Sequence, residues 1–521
     1  MSDDNFSIEP LHQRRTLVGG ELRPWSGAVT DVVSPVLKDG KPTVVGSQPS
    51  QGEREALEAL SAARAAWDTG RGKWPTLPAS ERIACVLAFV RRMCEVRERV
   101  VRLLMWEIGK SRADSEKEFD RTVEYIRDTV AAVQELEHVG ARFEKAGGVV
   151  AQVRRAPLGV VLSMGPFNYP LNETFTTLIP ALIMGNPVIV KPPKLGVLLH
   201  EPLLDAFAES FPAGVVNTLH GDGRTVVTPL MKSGQVDVLA FIGTSRVADV
   251  VRSQHPHPHR LRCVLGLDAK NPALVTAQAD LDLAVRECLL GSLSFNGQRC
   301  TAIKLIFVHR SIYGAFLERL AAAVDGLRAG LPWDHEVQIT PLPEPGKVEA
   351  LQALVEDAKA KGASVANTRA GALDRTSFFP AVVGPIRPDA RLWSEEQFGP
   401  IVPVAPYDDA GELLRWVADS SFGQQASVFS EDPVEVARLV DGLINQVCRV
   451  NVNSQCQRGP DVYPFTGRKD SAEGTLSVSD ALRAFSIRTM VAARDEARNH
   501  HILREITRER HSSFLSTEWL F

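Results

Sequence analysis

Two α/β domains, each organised on a mostly parallel sheet with helices on both faces, are what this chain predicts. Three observations carry that expectation. At 521 residues the chain is too long for a single hydrophobic core. From Val160 to Val275 short apolar runs alternate with helix-like pieces, and short apolar strands with helical connections build parallel sheets covered on both faces. A second alternating block runs from Asn271 to about Gly474. Sheets of this kind bind nucleotides beyond the carboxyl ends of their strands.

Taken in order, the chain to about Gly46 reads as irregular or short-stranded, broken by Gly19, Gly20, Pro24 and Pro35. Glu53 to Trp67 turns helical. After a break from Gly70 to Pro78 come two long amphipathic stretches, roughly Ala79 to Ile108 and Ser111 to Leu136, with Ser80 and Ser111 as N-terminal caps. Gly147 to Arg155 alternates as a strand does, and Gly159 to Met164 is a β-branched run ending in Gly165-Pro166. The first block offers strands at Val160 to Ser163, Pro187 to Val190, Val215 to Thr218, Val238 to Ile242 and Leu261 to Leu265. The second offers Ile303 to Val308, Ile401 to Val404, Ala426 to Phe429 and Cys448 to Val452. Phe485 to Ala492 is again strand-like, and the tail from Arg494 to Phe521 is rich in Arg, Glu and His. Its terminal Trp519, Leu520 and Phe521 are costly to leave in water, so the tail is expected to pack on its own or a neighbouring subunit.

Composition narrows the function classes. An apolar content of 44% and a charged content of 23% are ordinary for a soluble globular protein. A formal net charge of -4, with no run of lysine and arginine, gives no reason to expect nucleic acid. Met1 to Pro10 carries Asp3, Asp4 and Glu9 and lacks the basic start and apolar core of a signal peptide. The most apolar segment, Leu178 to Val190, is broken by Pro180, Gly185 and Pro187, so no membrane span is expected. The seven cysteines (Cys85, Cys94, Cys263, Cys288, Cys300, Cys448, Cys456) are odd in number and show no short paired spacing. Neither a disulfide framework nor a metal site is expected, and a reducing cytoplasm is the default.

One of those cysteines stands apart. Cys300 lies in the polar turn Ser294-Phe295-Asn296-Gly297-Gln298-Arg299-Cys300-Thr301-Ala302, between a helix-like run (Leu281 to Leu293) and a strand-like one. A thiolate nucleophile is favoured by nearby positive charge and exposed backbone N–H groups, and Arg299 is adjacent. A cysteine is more often a small buried hydrophobe, yet Asn, Gly, Gln, Arg and Thr as neighbours put the nucleophile reading ahead. Asn168, in Gly165-Pro166-Phe167-Asn168-Tyr169-Pro170 after a strand, has an amide able to donate to an oxygen that turns negative when a thiolate adds to a carbonyl. Satisfying a turn is its simpler use. Lys191 and Lys194 follow the strand ending at Val190 and suit a phosphate- or ribose-bearing ligand, against the plainer reading of a solvated loop. Gly221-Asp222-Gly223 starts a G-x-G pattern, but Val226 stands where a third glycine belongs.

Gly165 to Pro170, Lys191-Pro192-Pro193, Phe241 to Thr244, Gly297-Gln298-Arg299-Cys300 and Glu395-Glu396-Gln397-Phe398-Gly399-Pro400 resemble, in order and separation, the aldehyde dehydrogenase superfamily. The resemblance extends to about Ala493. Arg299 before the nucleophile and Gln457-Arg458-Gly459-Pro460-Asp461, followed by Pro464-Phe465 and Lys469-Asp470-Ser471, are similar to the non-phosphorylating, NADP-dependent glyceraldehyde-3-phosphate dehydrogenase group. The resemblance implies a Rossmann-type cofactor domain (1–138 and 160–270), a catalytic domain (271–475), a small β oligomerisation arm (139–159 and 476–493) and a tail (494–521), assembled as a homodimer or homotetramer. It implies Cys300 as nucleophile, with its own N–H and the Asn168 amide as oxyanion hole. Cofactor residues implied are Pro166, Lys191, Gly223, Gly243 and Thr244, with Glu396 and Phe398 at the nicotinamide ribose and ring. Members that prefer NAD carry a glutamate where this chain has Lys194; an ammonium attracts a 2′-phosphate that a carboxylate repels, so NADP is expected, with NAD as the alternative. Arg299 and Arg458 are carried over as the pair facing a substrate phosphate, their alternative being internal salt bridges.

The chain departs from this pattern at one position. Where the superfamily has a general-base glutamate in Glu-Leu-Gly-Gly-Lys, this chain reads Gly266-Leu267-Asp268-Ala269-Lys270, in register with Cys300. Three readings stay open. Asp268, Glu173 or Glu396 substitutes; the thioester passes to coenzyme A, as in acylating members with a similar Ala-Lys-Asn segment; or the protein is a weakly active relative with a binding role. Hydrolytic oxidation of an aldehyde, glyceraldehyde 3-phosphate or a similar phosphorylated or small one, ranks first.

Overall fold

The computed structural model describes residues 8–520, so the acidic start before Ile8 and the terminal Phe521 lie outside the described residues. A first sheet carries five parallel strands in the order Val216–Thr218, Val188–Lys191, Val161–Met164, Val238–Ile242, Arg262–Gly266. The chain winds outward from Val161–Met164, returns, and starts the other half at Val238–Ile242. The crevice between those two strands is therefore the switch point at which α/β sheets take ligands beyond their carboxyl ends. Val161–Met164 and Val188–Lys191 are buried along their whole length, as strands covered on both faces must be. A sixth strand, Ala472–Glu473, pairs antiparallel with Leu265 and Gly266. The end of the 271–475 range thus joins the first sheet rather than the second.

The second sheet has seven strands in the order Ser364–Val365, Ala381–Gly384, Ile401–Tyr407, Ile303–His309, Asn271–Val275, Gln425–Phe429, Arg449–Val452, all parallel except the first. Cys300, Glu396 and Gln424 precede the strands Ile303–His309, Ile401–Tyr407 and Gln425–Phe429, at the amino ends of this sheet. Those ends share one cleft with the carboxyl ends of the first sheet. A third, three-stranded sheet places Val149–Pro157 between Phe143–Ala146 and Ser486–Arg494, all antiparallel. The outer strand Ser486–Arg494 exposes Ile487 and Met490.

Two local expectations are corrected. The N-terminal part is not short-stranded, because Val29–Lys38 and Lys41–Pro49 form a long antiparallel hairpin. Its Asp39-Gly40 turn has φ of 50° and 70°, the left-handed pair that matches the twist of paired strands. Register shifts at Val32/Val33 and between Ser34 and Leu37 break the two-residue alternation, which is why it reads poorly in sequence. Ser80 caps nothing, since the helix Ala79–Glu95 starts after Pro78 with no side-chain cap. Ser111 does cap Arg112–Gly140, accepting from Asp114 N at 3.2 Å. The tail forms the helix Ala497–Arg508 and returns across its own subunit. Gln152 donates to Ser516 O at 2.8 Å, His138 hydrogen-bonds Trp519 O at 2.7 Å, and Trp519 packs against the main core. No helix of the described residues is long and apolar enough to cross a membrane.

Candidate active site

Cys300 is delivered by an unusual turn. After the helix Leu281–Leu293 the chain passes through Phe295, Asn296 and Gly297 at φ of 49°, 55° and 68°. Left-handed backbone in two consecutive non-glycine residues persists only where surrounding structure over-determines it. Asn296 supplies that: its Nδ2 donates to Thr340 O at 3.1 Å and its Oδ1 accepts from Thr340 N at 3.0 Å. A Cβ at Gly297 would lie 2.6 Å from Ser292 O, so only glycine fits. The Cys300 carbonyl is then fixed by Asn271 Nδ2 at 2.8 Å and Lys304 Nζ at 3.0 Å. No acceptor among the described residues takes the Cys300 N–H. The residue is half-buried at the floor of a cleft of about 1070 Å³.

The resting electrostatics oppose the sequence expectation of a thiolate-favouring turn. Burial, then the Glu173 carboxylate, push the Cys300 thiol up, while Lys304, a Gln424 hydrogen bond and Arg458 pull it back only in part. Arg299 turns its guanidinium onto Leu290 O (3.3 Å) and Gly291 O (2.9 Å), at the carboxyl end of Leu281–Leu293, where a cation is favoured. Arg458 is buried, paired with Glu173 and with Asp461 at 3.0 Å, and donates to Leu476 O at 3.1 Å. Both arginines line the cleft, but both guanidiniums have internal partners. Arg121 lines it too and binds Asp461 through two nitrogens at 3.0 and 2.8 Å.

Asn168 is buried beside the Cys300 loop, its Nδ2 donating to Gln298 O at 2.8 Å. An amide nitrogen carries two N–H bonds, so one is left for a ligand. Its position depends on a brace that sequence reasoning missed. Lys110 is fully buried, pairs with Glu118, and donates to Asn168 O at 2.8 Å. Its ammonium lies 3.6 Å from the Tyr169 ring centroid and 4.2 Å from that of Phe295. Glu118 Oε1 in turn accepts from Leu171 N at 3.0 Å and Asn172 N at 3.1 Å, at the start of the helix Asn172–Ile183. One ion pair therefore ties the Asn168 loop to the Phe295 turn.

The cofactor candidates share the cleft. Pro166, Lys191, Lys194, Gly243, Thr244, Glu396 and Phe398 all line the cleft. Gly223 does not: it opens the helix Gly223–Lys232 behind an Asp222 cap, away from the cleft lining. Lys191 is buried, its ammonium donating to Pro192 O at 3.0 Å with no ion pair among the described residues. Burial pushes it down to about 8. A buried cation lacking a carboxylate suits an anionic ligand. Lys194 is exposed at the cleft edge. Thr244 caps the helix Ser245–Ser253, whose amino end faces the same space, a place that favours phosphate. Asp268 holds Ser245 N at 2.7 Å and Ser245 Oγ at 2.8 Å. Glu396 is paired with Lys304 at 2.7 Å and accepts from Ala269 N at 3.3 Å; burial raises its carboxyl. The Phe398 ring meets that of Phe167 edge-on at 5.8 Å.

Residues 25–491 match the model of the aldehyde dehydrogenase family. The chain belongs to that family. An NADP-dependent glyceraldehyde-3-phosphate dehydrogenase of Streptococcus equinus is 32% identical over 85% of this chain and 91% of its own length. The enzyme of that name from Pisum sativum is 32% identical over 63% of this chain and 64% of its own. A 3-sulfolactaldehyde dehydrogenase of Priestia aryabhattai is 30% identical over 72% and 78%. Among solved structures, the NADP-dependent glyceraldehyde-3-phosphate dehydrogenase of Bacillus halodurans C-125, complexed with NADP, superposes with a TM-score of 0.86 at 28% identity, covering 93% of this chain and 100% of that one. For an aldehyde dehydrogenase, Gly266 is the departure that matters. It pairs with Ala472 on the short sixth strand, and a Cβ there would meet Leu476 Cδ1 at 3.2 Å and Ile242 Cγ1 at 3.4 Å. Position 266 is thus bordered closely by apolar side chains.

Proposed function

We propose that this aldehyde dehydrogenase oxidises a small aldehyde to its carboxylate with NADP, through a thioester on Cys300. The observation that carries the reading is the convergence on one cleft of Cys300, with its unclaimed N–H, and the Asn168 amide. The sulfur adds to the aldehyde carbonyl, and the oxygen that becomes negative is held by Cys300 N–H and Asn168 Nδ2. Lys191 and Lys194 hold the adenosine end of the cofactor, the Gly243-Thr244 turn its pyrophosphate, and Glu396 and Phe398 its nicotinamide end. When bound, NADP supplies the hydride acceptor that turns the adduct into a thioester. Unpaired Lys191 and cleft-edge Lys194 support NADP over NAD.

The substrate reading follows from the arginines. A phosphorylated aldehyde such as glyceraldehyde 3-phosphate would meet Arg121, Arg299 and Arg458, yet Glu173 and Asp461 already neutralise two of them. Plain small aldehydes are therefore used as well as phosphorylated ones. Steady-state kinetics on both classes with both nicotinamide cofactors test this; a preference for phosphorylated aldehydes above about a hundredfold would contradict it. Ala269-Lys270-Asn271 and Gly266 favour a second reading, acyl transfer to coenzyme A, for which an acyl-CoA product is the decisive result. The exposed outer strand Ser486–Arg494 supports assembly by edge pairing with a second copy, which sedimentation checks. Seven free cysteines suit the cytoplasm.

A further inference from the structure

We propose that Glu173 replaces the missing glutamate as the general base that activates water against the Cys300 thioester; the inference rests on the nucleophile reading above. Behind Cys300, and continuous with the cleft, lies a recess of about 20 Å³. That is room for about one water molecule. Its walls include Glu173, Gly266, Cys300, Gln424 and Thr475. The recess is otherwise mostly apolar, so the Glu173 carboxylate is the charged group facing that space beside Gly266 and the sulfur. Glu173 is the one carboxylate in that wall.

The other candidates, Asp268 and Glu396, do not line that recess. Asp268 spends its carboxylate on the amino end of Ser245–Ser253, and Glu396 is held by Lys304 and Ala269 N. Glu173 Oε2 takes Arg458 Nη1, which fixes the side chain, and among the described residues nothing donates to Oε1. Position also favours it. Glu173 lies in the first turn of Asn172–Ile183, five residues after the oxyanion donor Asn168, and its carboxylate helps to push the Cys300 thiol up. The step balances simply. As water attacks the thioester carbonyl, its proton passes to Glu173 Oε1, the new C–O bond forms, the C–S bond breaks and its electron pair returns to sulfur. Glu173 then releases the proton to solvent and the carboxylic acid leaves.

The test uses full-length protein without NADP and with p-nitrophenyl acetate, which transfers its acetyl group to a reactive thiol and releases p-nitrophenolate. Wild type gives a burst followed by turnover, and Cys300→Ala gives no burst; a burst in that variant would overturn the nucleophile reading itself. Glu173→Gln keeps the burst amplitude, loses post-burst turnover by on the order of a hundredfold or more, and accumulates acetyl-Cys300 by mass spectrometry. Glu173→Asp recovers part of the loss. Hydroxylamine, a nucleophile that needs no base, restores turnover of Glu173→Gln, which a collapsed site would not allow. Unchanged post-burst turnover in Glu173→Gln, or failure of hydroxylamine to release the acetyl group, overturns the inference and leaves the nucleophile in place.

Discussion

On the wall built by the carboxyl ends of the first sheet, Lys191 is buried with no carboxylate paired to it among the described residues. Around Cys300, Lys110, Lys304, Arg121 and Arg458 are each paired with a carboxylate, to Glu118, Glu396, Asp461 and Glu173 respectively. The difference separates two uses of buried charge. A cation matched inside the chain fixes geometry; one left unmatched keeps its attraction for a ligand that arrives from outside. The cleft is thus preset around Cys300 and open to an anion on the cofactor side. Arg458, whose type suits phosphate, is already paired with Glu173 and Asp461.

The sharpest way to break this comparison is to remove one cation of each kind. Arg458→Ala leaves the buried Glu173 carboxylate without its ion-pair partner, while Asp461 keeps Arg121, and should destabilise the fold by about 3–5 kcal/mol, read as a fall in the denaturation midpoint. Stability equal to wild type would mean the pairing is incidental. Lys191→Met should leave Tm unchanged or higher and weaken NADP binding by about tenfold to a hundredfold, the worth of a hydrogen bond to a charged group. A Tm loss without an affinity loss would reverse the roles assigned to the two cations.

Titration sharpens the contrast further. Lys191, pushed down to about 8 by burial, loses its proton as pH rises through that value, so NADP affinity should fall above it. Burial raises the Cys300 thiol, so sulfur acylation should keep rising past the pH at which an ordinary thiol has ionised. Calorimetric NADP binding and pre-steady-state acylation, each followed against pH, should show opposite slopes; parallel slopes would place one group wrongly. The smallest effect is expected at exposed Lys194. Lys194→Glu should shift the NADP-to-NAD ratio toward NAD by several-fold, since an exposed charge is partly screened, and an unchanged ratio would remove Lys194 from cofactor choice.

Much of the fold is readable in the sequence because parallel strands are buried on both faces. Val161–Met164, Val188–Lys191 and Val238–Ile242 show as continuous apolar runs, with the cleft residues just after them. Ser111 is legible for a local reason, an oxygen beside a helix start. The N-terminal hairpin is not, because its register shifts erase the alternation. Nor are pairings between residues far apart in the chain. Arg458 meets Glu173 across a separation of 285 residues, and nothing near either one announces the other. The Lys110–Glu118 brace fails differently: its spacing of eight residues crosses a helix boundary, so no helical pattern flags it. The polarity of its neighbours singles out Cys300 but says nothing of the burial which raises its thiol. Arg299, the adjacent charge, is bound to helix-end carbonyls instead.

The central claim is that one of seven cysteines carries the acyl group. Enzyme mixed with NADP and a small aldehyde, quenched in acid within the first turnover and digested, should yield the acyl adduct on the peptide containing Cys300. Turnover with Cys300 unmodified, or the adduct on Cys85, Cys94, Cys263, Cys288, Cys448 or Cys456, would contradict the account.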